Sequence, residues 1–482
     1  MDQLNKSKIK NVWDIFQQIS KIPRGSGEEK AVSDWIAAFA KQHNLVVVQD
    51  KFNNILIKKP ATAGYEKYTP IILQGHMDMV NEKTIDSTHD FTRDPIKLKV
   101  ENGFLRAHDT TLGADNGIGV SFILAYLTAP GLQHPAIEAI LTTEEETTMN
   151  GAKNFDYSQI AGRHLISLDD TQEGTMMTAC AGIVKLQMNG DYAAAECAQD
   201  SKIIEIVLTG LTGGHSGNDI VIRPAAFQFL ARTLYAIREK LEFQICNIHC
   251  GTKPNAISRD FKLAVAINAE QLNSVKEIVA ALSLEFNAEL VKYNEKISMQ
   301  INEVTDKTTC ASPKDTNRML DLFMTLPNGM QTMLEAPDVA ENSLNIGQTN
   351  VGFGKIALGI TIRSAVKTLE TYVLNRLRVI AKTFDMSVTI DAVSPSFSSP
   401  GSDLANLCAD TYMRLYGKPI MNKRIHALVE AGVFQQNIPD IQIVMIAPNL
   451  YDIHSPSERL DIESAERTWD LFVELIKNAK FQ

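Results

Sequence analysis

At 482 residues the chain is longer than a single hydrophobic core usually organises, which predicts two or three domains. Its 44% hydrophobic and 22% charged composition is that of an ordinary globular protein, and no stretch nears the roughly 18 uninterrupted apolar residues of a membrane span. A net charge of −10 without a basic stripe excludes a nucleic-acid footprint, and six cysteines in so long a chain make no disulfide framework.

Ile9, Val12, Phe16 and Ile19 share one face of an opening helix. The segment leading into it lacks the apolar stretch of a secretory signal, so the expected compartment is cytoplasmic. Ser26 and Glu29 match a capping box ahead of a second helix, whose stripe is Val32, Trp35, Ile36 and Phe39. Leu45–Val48 and Ile55–Lys58 read as a hairpin, and Ile71–Gln74 as a strand. A helix after Asp115 carries Ile118, Phe122 and Ala125, and strands follow at Ile137–Thr142 and Leu165–Leu168. This alternation predicts an α/β sheet covered by helices on both faces.

Near residue 185 the pattern changes. Strands at Ile203–Leu208, Leu263–Ile267 and Ile297–Ile301 alternate with helices on Phe227, Leu230, Leu234 and Ile237 and on Val275, Ile278, Val279 and Leu282. With one more strand near Phe243–Ile248 they make a ferredoxin-like unit. A second run resembles it: a helix around Met319–Phe323, strands near Met330–Leu334 and Ile356–Ile362, a helix on Leu369, Val373, Leu377 and Ile380, and a strand at Ser387–Ile390. Cys246, His249 and Cys250 lack the second pair of a zinc knuckle and read as side chains of a partly buried strand and turn. After the linker SPSFSSPGSD the first pattern returns, with the strand Ile441–Ala447 and a last helix burying Trp469, Phe472, Val473 and Ile476. One domain, residues 1–184 and 396–482, is therefore split around another, residues 185–395.

Four apolar runs end in metal-seeking side chains. Ile71–Val80 offers His76 and Asp78, Leu141–Glu146 offers Glu144, Glu145 and Glu146, Leu165–Asp170 offers Asp169 and Asp170, and Ile453–Pro456 offers His454. Between the first two lies Asp115, in Thr111–Gly117. Taken singly each is weak: a His-x-Asp is commonly solvated, an acidic triplet is a polar loop, and Leu-Asp-Asp closes a strand into a turn. Their shared place at strand ends carries the argument, because open α/β sheets gather ligands at the carboxyl edge. Two imidazoles with several carboxylates suit zinc, cobalt or manganese, and a bridging carboxylate would hold two ions roughly 3.5–4 Å apart.

The order His76-x-Asp78, Asp115-Asn116, Glu145-Glu146-x-x-Met149-x-Gly151-Ala152, Asp169 and His454-Ser455-Pro456 resembles the co-catalytic dizinc exopeptidases, and most closely their bacterial aminoacyl-histidine dipeptidase branch. GLTGGHSGNDI (Gly210–Ile220), GTKPNAISRD (Gly251–Asp260), TIRS (Thr361–Ser364) and IHALVEAG (Ile425–Gly432) extend the match. Departures at Ile183, at Cys250, in NLYDI before His454 and at Pro400–Asp403 touch turns and pocket walls, and so bear on substrate preference.

The resemblance implies a split dizinc-exopeptidase α/β catalytic domain, a mixed sheet flanked by helices, with an inserted α+β lid domain of two ferredoxin-like halves. It implies two divalent metal ions, zinc with cobalt or manganese as alternatives. His76 and Asp169 would hold one, Glu146 and His454 the other, and Asp115 would bridge them through a cis peptide to Asn116. Asp78 would orient the His76 imidazole, and Glu145 would be the general base on a metal-bridging water. His215 reads on pattern alone as a loop histidine, and by resemblance as an oxyanion-stabilising group. Ser216 lacks the final glycine of a nucleophile elbow. Asn255 and Arg363 become candidates for the substrate's backbone and carboxylate, and Glu430 for its free ammonium, with salt-bridging or turn-capping as the structural alternatives. The implied activity is hydrolysis of unblocked dipeptides, Xaa-His and broader, by a cytoplasmic homodimer with no nucleic-acid or membrane partner. An N-acyl-amino-acid amidohydrolase and a non-catalytic binding protein on the same scaffold compete with it; the joint presence of His76, His454 and Glu145 speaks against the latter. Two lid halves in one chain further imply that His215 acts within its own chain.

Overall fold

A computed structural model describes residues 1–197, 200–304, 309–333 and 340–482. Two units emerge: Met1–Ala179, Phe397–Arg424 and Val429–Gln482 form the first, Cys180–Ser396 and Ile425–Leu428 the second. The short return of Ile425–Leu428 to the second unit has no counterpart in the hydrophobic pattern.

In the first unit a mixed sheet runs Val46–Gln49, Ile55–Lys59, Ile137–Thr142, Ile71–His76, His164–Ser167, Gln442–Met445, Thr175–Cys180 and Phe397–Ser398, with Met421–Ile425 also paired to Thr175–Cys180. Its four central strands, Ile137–Thr142 through Gln442–Met445, are parallel, so their carboxyl ends share one edge. Ile137–Thr142, Ile71–His76 and His164–Ser167 are buried at every position, as parallel strands are when both faces are covered. The cover comes from helices such as Lys10–Ile19, Ala114–Thr128 and Ile462–Asn478, whose Trp13, Phe16, Phe122, Tyr126 and Phe472 fill the core. Each such side chain stabilises the fold by roughly 1.5–3 kcal/mol when fully buried. Ala114–Thr128 has almost no polar face because it is enclosed all round. The helix Lys30–Gln42 forms as its stripe predicts, but without the capping box: its N-cap Glu29 makes no side-chain cap.

The second unit is built on an antiparallel sheet in the order Ser298–Val304, Ser201–Thr209, Phe261–Asn268, Gln244–Cys250, Ala340–Gly352, Lys355–Ser364, Gly182–Asp191 and Met386–Ser394. The first four strands with helices Ala226–Arg238 and Leu272–Leu290 form one ferredoxin-like half, ordered fourth, first, third, second. The other four, with Pro313–Thr325 and Lys367–Thr383, have the same order read from the opposite edge, and Gln244–Cys250 pairs with Ala340–Gly352 at the join. The halves are nested rather than consecutive: Gly182–Asp191 is the first strand of the second half and precedes the whole of the first. The sequence reading left out Gly182–Asp191 and Ala340–Gly352. The latter buries Asn342, Ser343, Asn345 and Thr349, which hide its alternation. The expected strand Met330–Leu334 is observed at Gly329–Met333, and Leu334 lies outside the described residues.

A disulfide, Cys197–Cys310, forms in this unit, which cysteine spacing alone did not indicate. Along Gln244–Cys250, Cys246 and Cys250 are buried while His249 is exposed beside Asn350 Oδ1 at 2.8 Å, as strand side chains rather than a knuckle. Among the described residues no helix is long and apolar enough to cross a membrane.

Candidate metal centre

His76 is the last residue of its strand and is buried. Parallel register sets it beside Thr142 and sets Gln74 beside Ser167, so the turn Thr143–Glu146 and the segment Leu168–Asp170 leave the sheet next to it. Its Nε2 lies 3.2 Å from Asp115 Oδ1 and 3.3 Å from Asp169 Oδ1. His454 Nε2 lies 3.3 Å from Asp115 Oδ2 and 2.9 Å from Glu146 Oε1. Asp115 thus turns one oxygen to each imidazole. Glu145 joins His76 and Asp169, their ligand atoms lying within 4.8 Å of one another. The Asp115–Asn116 peptide is cis.

Asp78 ties these pieces together. Its Oδ1 is 3.2 Å from His76 Nδ1 and accepts the Glu145 N–H at 3.1 Å. Its Oδ2 accepts the Glu146 N–H at 3.2 Å and the Ser26 hydroxyl at 2.8 Å. One carboxylate therefore orients an imidazole and fixes the backbone beneath two glutamates. Glu29 Oε1 accepts from the N–H groups of Gly27 and Glu144, both at 2.9 Å. Ser26 and Glu29, read in sequence as a helix cap, support the site instead.

Two further groups were not singled out in the sequence. Glu458 accepts the backbone N–H groups of Leu112, Gly113, Ala114 and Asp115 at 2.7, 3.0, 2.8 and 3.3 Å, which pins the loop carrying the bridging carboxylate. Arg24 is buried and donates to the carbonyls of Met77, Asp78 and Gly113. Neither lies in a periodic segment; the available signal was a charged residue between Pro23 and Gly25, and a glutamate shortly after His454. Asn116 Nδ2 donates to the Leu168 carbonyl at 2.6 Å, and a Cβ on Gly75 would stand 2.6 Å from its Oδ1, so the close approach requires glycine.

The electrostatics call for cations. Asp78, Asp115, Glu145, Glu146, Asp169 and Glu430 gather around the buried His76 and Arg24, with His454 half-exposed at the rim. Burial, then the charge of Asp169, raises the Glu145 carboxyl well above the usual range. Burial likewise brings Asp169 up to about 6, opposed by His76. Burial pulls Asp115 up too, but hydrogen bonds with His454 and His76 outweigh it and hold its carboxyl well below normal. The close approach of the Asp115 and Glu146 carboxylates lifts His454 to about 10. Glu146 Oε1 is buried and takes no directed hydrogen bond although His454 Nε2 is near. A lone pair converging with imidazole nitrogens and carboxylates, unsatisfied by any donor, fits a divalent ion with N/O ligands.

Not every candidate joins the cluster. Glu144 accepts from Thr148 and Asn150, and Asp170 pairs with Lys423 at 2.6 Å, so both are structural. Glu430 is 1% exposed, and its Oε2 accepts from Gln74 Nε2 and Thr142 Oγ1, both at 2.7 Å. Burial lifts its carboxyl to about 8. It stands at the floor of the cluster, where the strand ends of Gln74 and Thr142 converge on it, and its Oε1 is buried without a hydrogen-bond partner.

In the second unit, His215 lies on the short strand Gly214–His215, paired with Ala256–Ile257. Its N–H donates to Asp219 Oδ2 at 2.7 Å. Desolvation and then the Arg363 guanidinium lower its pKa, favouring the neutral ring. Arg363 is buried, donates from Nε to Ser216 Oγ at 3.2 Å, and places Nη2 3.1 Å from His215 Nε2. Among the described residues no carboxylate pairs with it. The Asn255 carbonyl accepts the Ser216 N–H at 3.1 Å. Ser343 Oγ meets His426 Nε2 at 2.7 Å.

Comparison with known proteins agrees with this geometry. Residues 72–478 match the model of peptidase family M20/M25/M40. The chain is 32% identical over 480 residues to the cytosol non-specific dipeptidase of Escherichia coli strain K12, covering 99% of each chain. The crystal structure of aminoacylhistidine dipeptidase from Vibrio alginolyticus superposes with a TM-score of 0.93 at 31% identity, covering 98% of this chain and 97% of that one. Aminopeptidase PepT from Bacillus cereus ATCC 10987, at 14% identity and a TM-score of 0.50 over 98% of both chains, shares the fold.

Proposed function

The chain belongs to peptidase family M20/M25/M40, and on that footing we propose that it hydrolyses the peptide bond of unblocked dipeptides, Xaa-His and others, at a centre of two divalent metal ions. The observation that carries this reading is the Asp115 carboxylate with one oxygen toward each imidazole. His76 and Asp169 would hold one ion, His454 and Glu146 the other, and Asp115 both. We take the ions to be zinc, with cobalt or manganese the alternatives that the donor set admits. When bound, they supply Lewis-acid polarisation of the scissile carbonyl and lower the pKa of a water.

Glu145 takes the proton from the attacking water and returns it to the leaving amine. Burial and the charge of Asp169 hold its carboxyl above the usual range, which strengthens it as a base. Asp78 positions His76 and the Glu145–Glu146 backbone. The roles of His215 on the tetrahedral oxyanion, Asn255 on the substrate backbone and Arg363 on its carboxylate rest on the sequence resemblance. They are supported by the lowered pKa of His215 and by the Arg363 guanidinium, which among the described residues meets His215 and Ser216 and no carboxylate.

Purified protein, with and without added zinc, is tested on β-Ala-His, Gly-His, Leu-Gly, a tripeptide and an N-acetyl amino acid. Metal-dependent cleavage of the dipeptides is expected. Cleavage of the acetylated compound alone would make the protein an amidohydrolase, and cleavage of none would favour a binding protein. We further propose a homodimer in which each chain uses its own His215. Mixing His215→Ala with Glu145→Gln protein under subunit exchange is then expected to restore no activity.

A further inference from the structure

Three sulfur atoms converge in the second unit. Cys246 Sγ lies 3.0 Å from Cys310 Sγ and 3.9 Å from Cys197 Sγ, and the latter two are joined as a disulfide. Separate elements deliver them. Cys310 belongs to Thr309–Ala311, which pairs antiparallel with Ala194–Glu196, and Cys197 follows that strand directly. Cys246 is the extra residue of a β-bulge: Ile245 pairs with Val265 and Asn247 with Ala264, leaving Cys246 without an opposite number. A bulge re-aims its side chain. Ile245 and Ile248 face the main core of the unit, whereas Cys246 turns away into a small cluster with Ala266 and Cys310. Cys246 and Cys310 are buried, and Cys197 is partly exposed. The trio thus has an apolar base and one opening.

We propose that, once the Cys197–Cys310 disulfide is reduced, Cys197, Cys246 and Cys310 bind one thiophilic divalent cation, Zn(II) or its congener Cd(II). Tetrahedral Zn–S bonds of about 2.3 Å set sulfurs roughly 3.8 Å apart. The Cys246–Cys197 separation already has that value. Breaking the disulfide lets Cys310 and Cys197 part toward it. Reduction by a dithiol proceeds by two exchanges: the S–S bond is cleaved, its two sulfurs gain two electrons and two protons, and the dithiol leaves as a cyclic disulfide. The entering cation then displaces one proton from each of the three thiols.

Burial pushes the Cys246 thiol up to about 12, so the pocket does not hold a bare thiolate. A coordinating thiol, by contrast, loses its proton outright. Three thiolates around a divalent ion leave one net negative charge, and around a monovalent ion two, which burial disfavours. Among the described residues no fourth histidine, cysteine or carboxylate joins the three. Softness separates this site from the N/O centre of the first unit.

The test uses the full-length protein carrying its catalytic ions, reduced anaerobically with a dithiol, desalted, and titrated with Cd(II). The readout is ultraviolet thiolate-to-cadmium charge transfer, which N/O ligands do not produce. Saturation is expected at about one Cd(II) per chain, with no band in unreduced protein and affinity lowered about 100-fold or more in Cys246→Ser. Dipeptide turnover and far-ultraviolet dichroism of that variant are expected to match the parent, which guards against misfolding. Absence of the band in reduced protein, or its persistence in Cys246→Ser, would overturn the proposal. So would peptide mapping that finds a Cys246–Cys310 disulfide in place of metal uptake, because Cys246 would then be an exchange thiol.

Discussion

In the first unit the chemistry stands at the ends of parallel strands buried along their length; in the second it stands on loops, a two-residue strand and a bulge of an antiparallel sheet. The first arrangement aims side chains from several strands at one point and secures each through backbone N–H groups, as Asp78 and Glu458 show. The second holds its polar groups through one another, as Arg363 does with Ser216 and His215. Damage to the first should therefore strike metal binding and the chemical step. Damage to Arg363 in the second should strike substrate affinity.

The sharpest division comes from Glu145→Gln, expected to lower kcat by about 10²–10⁴-fold while metal analysis still finds both ions. A lost ion would instead make Glu145 a ligand. Asp78→Ala removes the acceptor shared by His76 and the two glutamates, and should cost about 10–100-fold in metal affinity or kcat, read by competition with a chelator and by steady-state kinetics. On the other side, Arg363→Lys keeps the charge but not the fork, and should raise KM about tenfold with kcat nearly intact. A matching fall in kcat would erase the contrast between the units.

Stability separates them more gently. Glu458→Gln weakens acceptors for four backbone N–H groups and should lower unfolding free energy by about 1–3 kcal/mol in a denaturant titration. The smallest effect is one the units share. Burial lowers His164 in the first and His426 in the second to about 4. Between the unfolded value of 6.5 and about 4 the unfolded chain takes up protons that the folded chain refuses. Stability is therefore full above pH 6.5 and falls as pH drops through that window, by on the order of 1 kcal/mol per pH unit for each histidine. Replacing either with Gln should flatten the slope, measured as midpoint against pH.

The same contrast governs how far sequence reasoning reached. His76, Glu146, Asp169 and His454 were legible because each closes or follows an apolar run, whereas Asp115 lies in the polar, glycine-flanked segment Thr111–Gly117 and was placed with them by resemblance. Ser26 and Glu29 were seen but given to a helix cap, since a local motif cannot reveal a hydrogen bond to Asp78 or to the Glu144 backbone. Glu430 carried a charge that suggested contact with substrate; only the convergence of Gln74 and Thr142 discloses a floor residue. In the second unit Ala340–Gly352 escaped notice because its core residues Leu344, Ile346 and Val351 are interspersed with the buried amides and hydroxyls of Asn342, Ser343, Asn345 and Thr349. Nesting of the halves is a matter of long-range pairing, which no local pattern encodes.

Gln442–Met445 lies inside the sheet of the first unit, between His164–Ser167 and Thr175–Cys180, and not at its margin. On a ribosome adding about 5–20 residues per second, the gap left for it stays open for roughly 15–55 s after His164–Ser167 emerges. His454 arrives later still. A chain whose synthesis has not passed His454 therefore possesses one imidazole of the pair, and hydrolytic competence is gained only once that segment has been made. The order of the strands acts as a clock that withholds a peptidase from the ribosome that makes it.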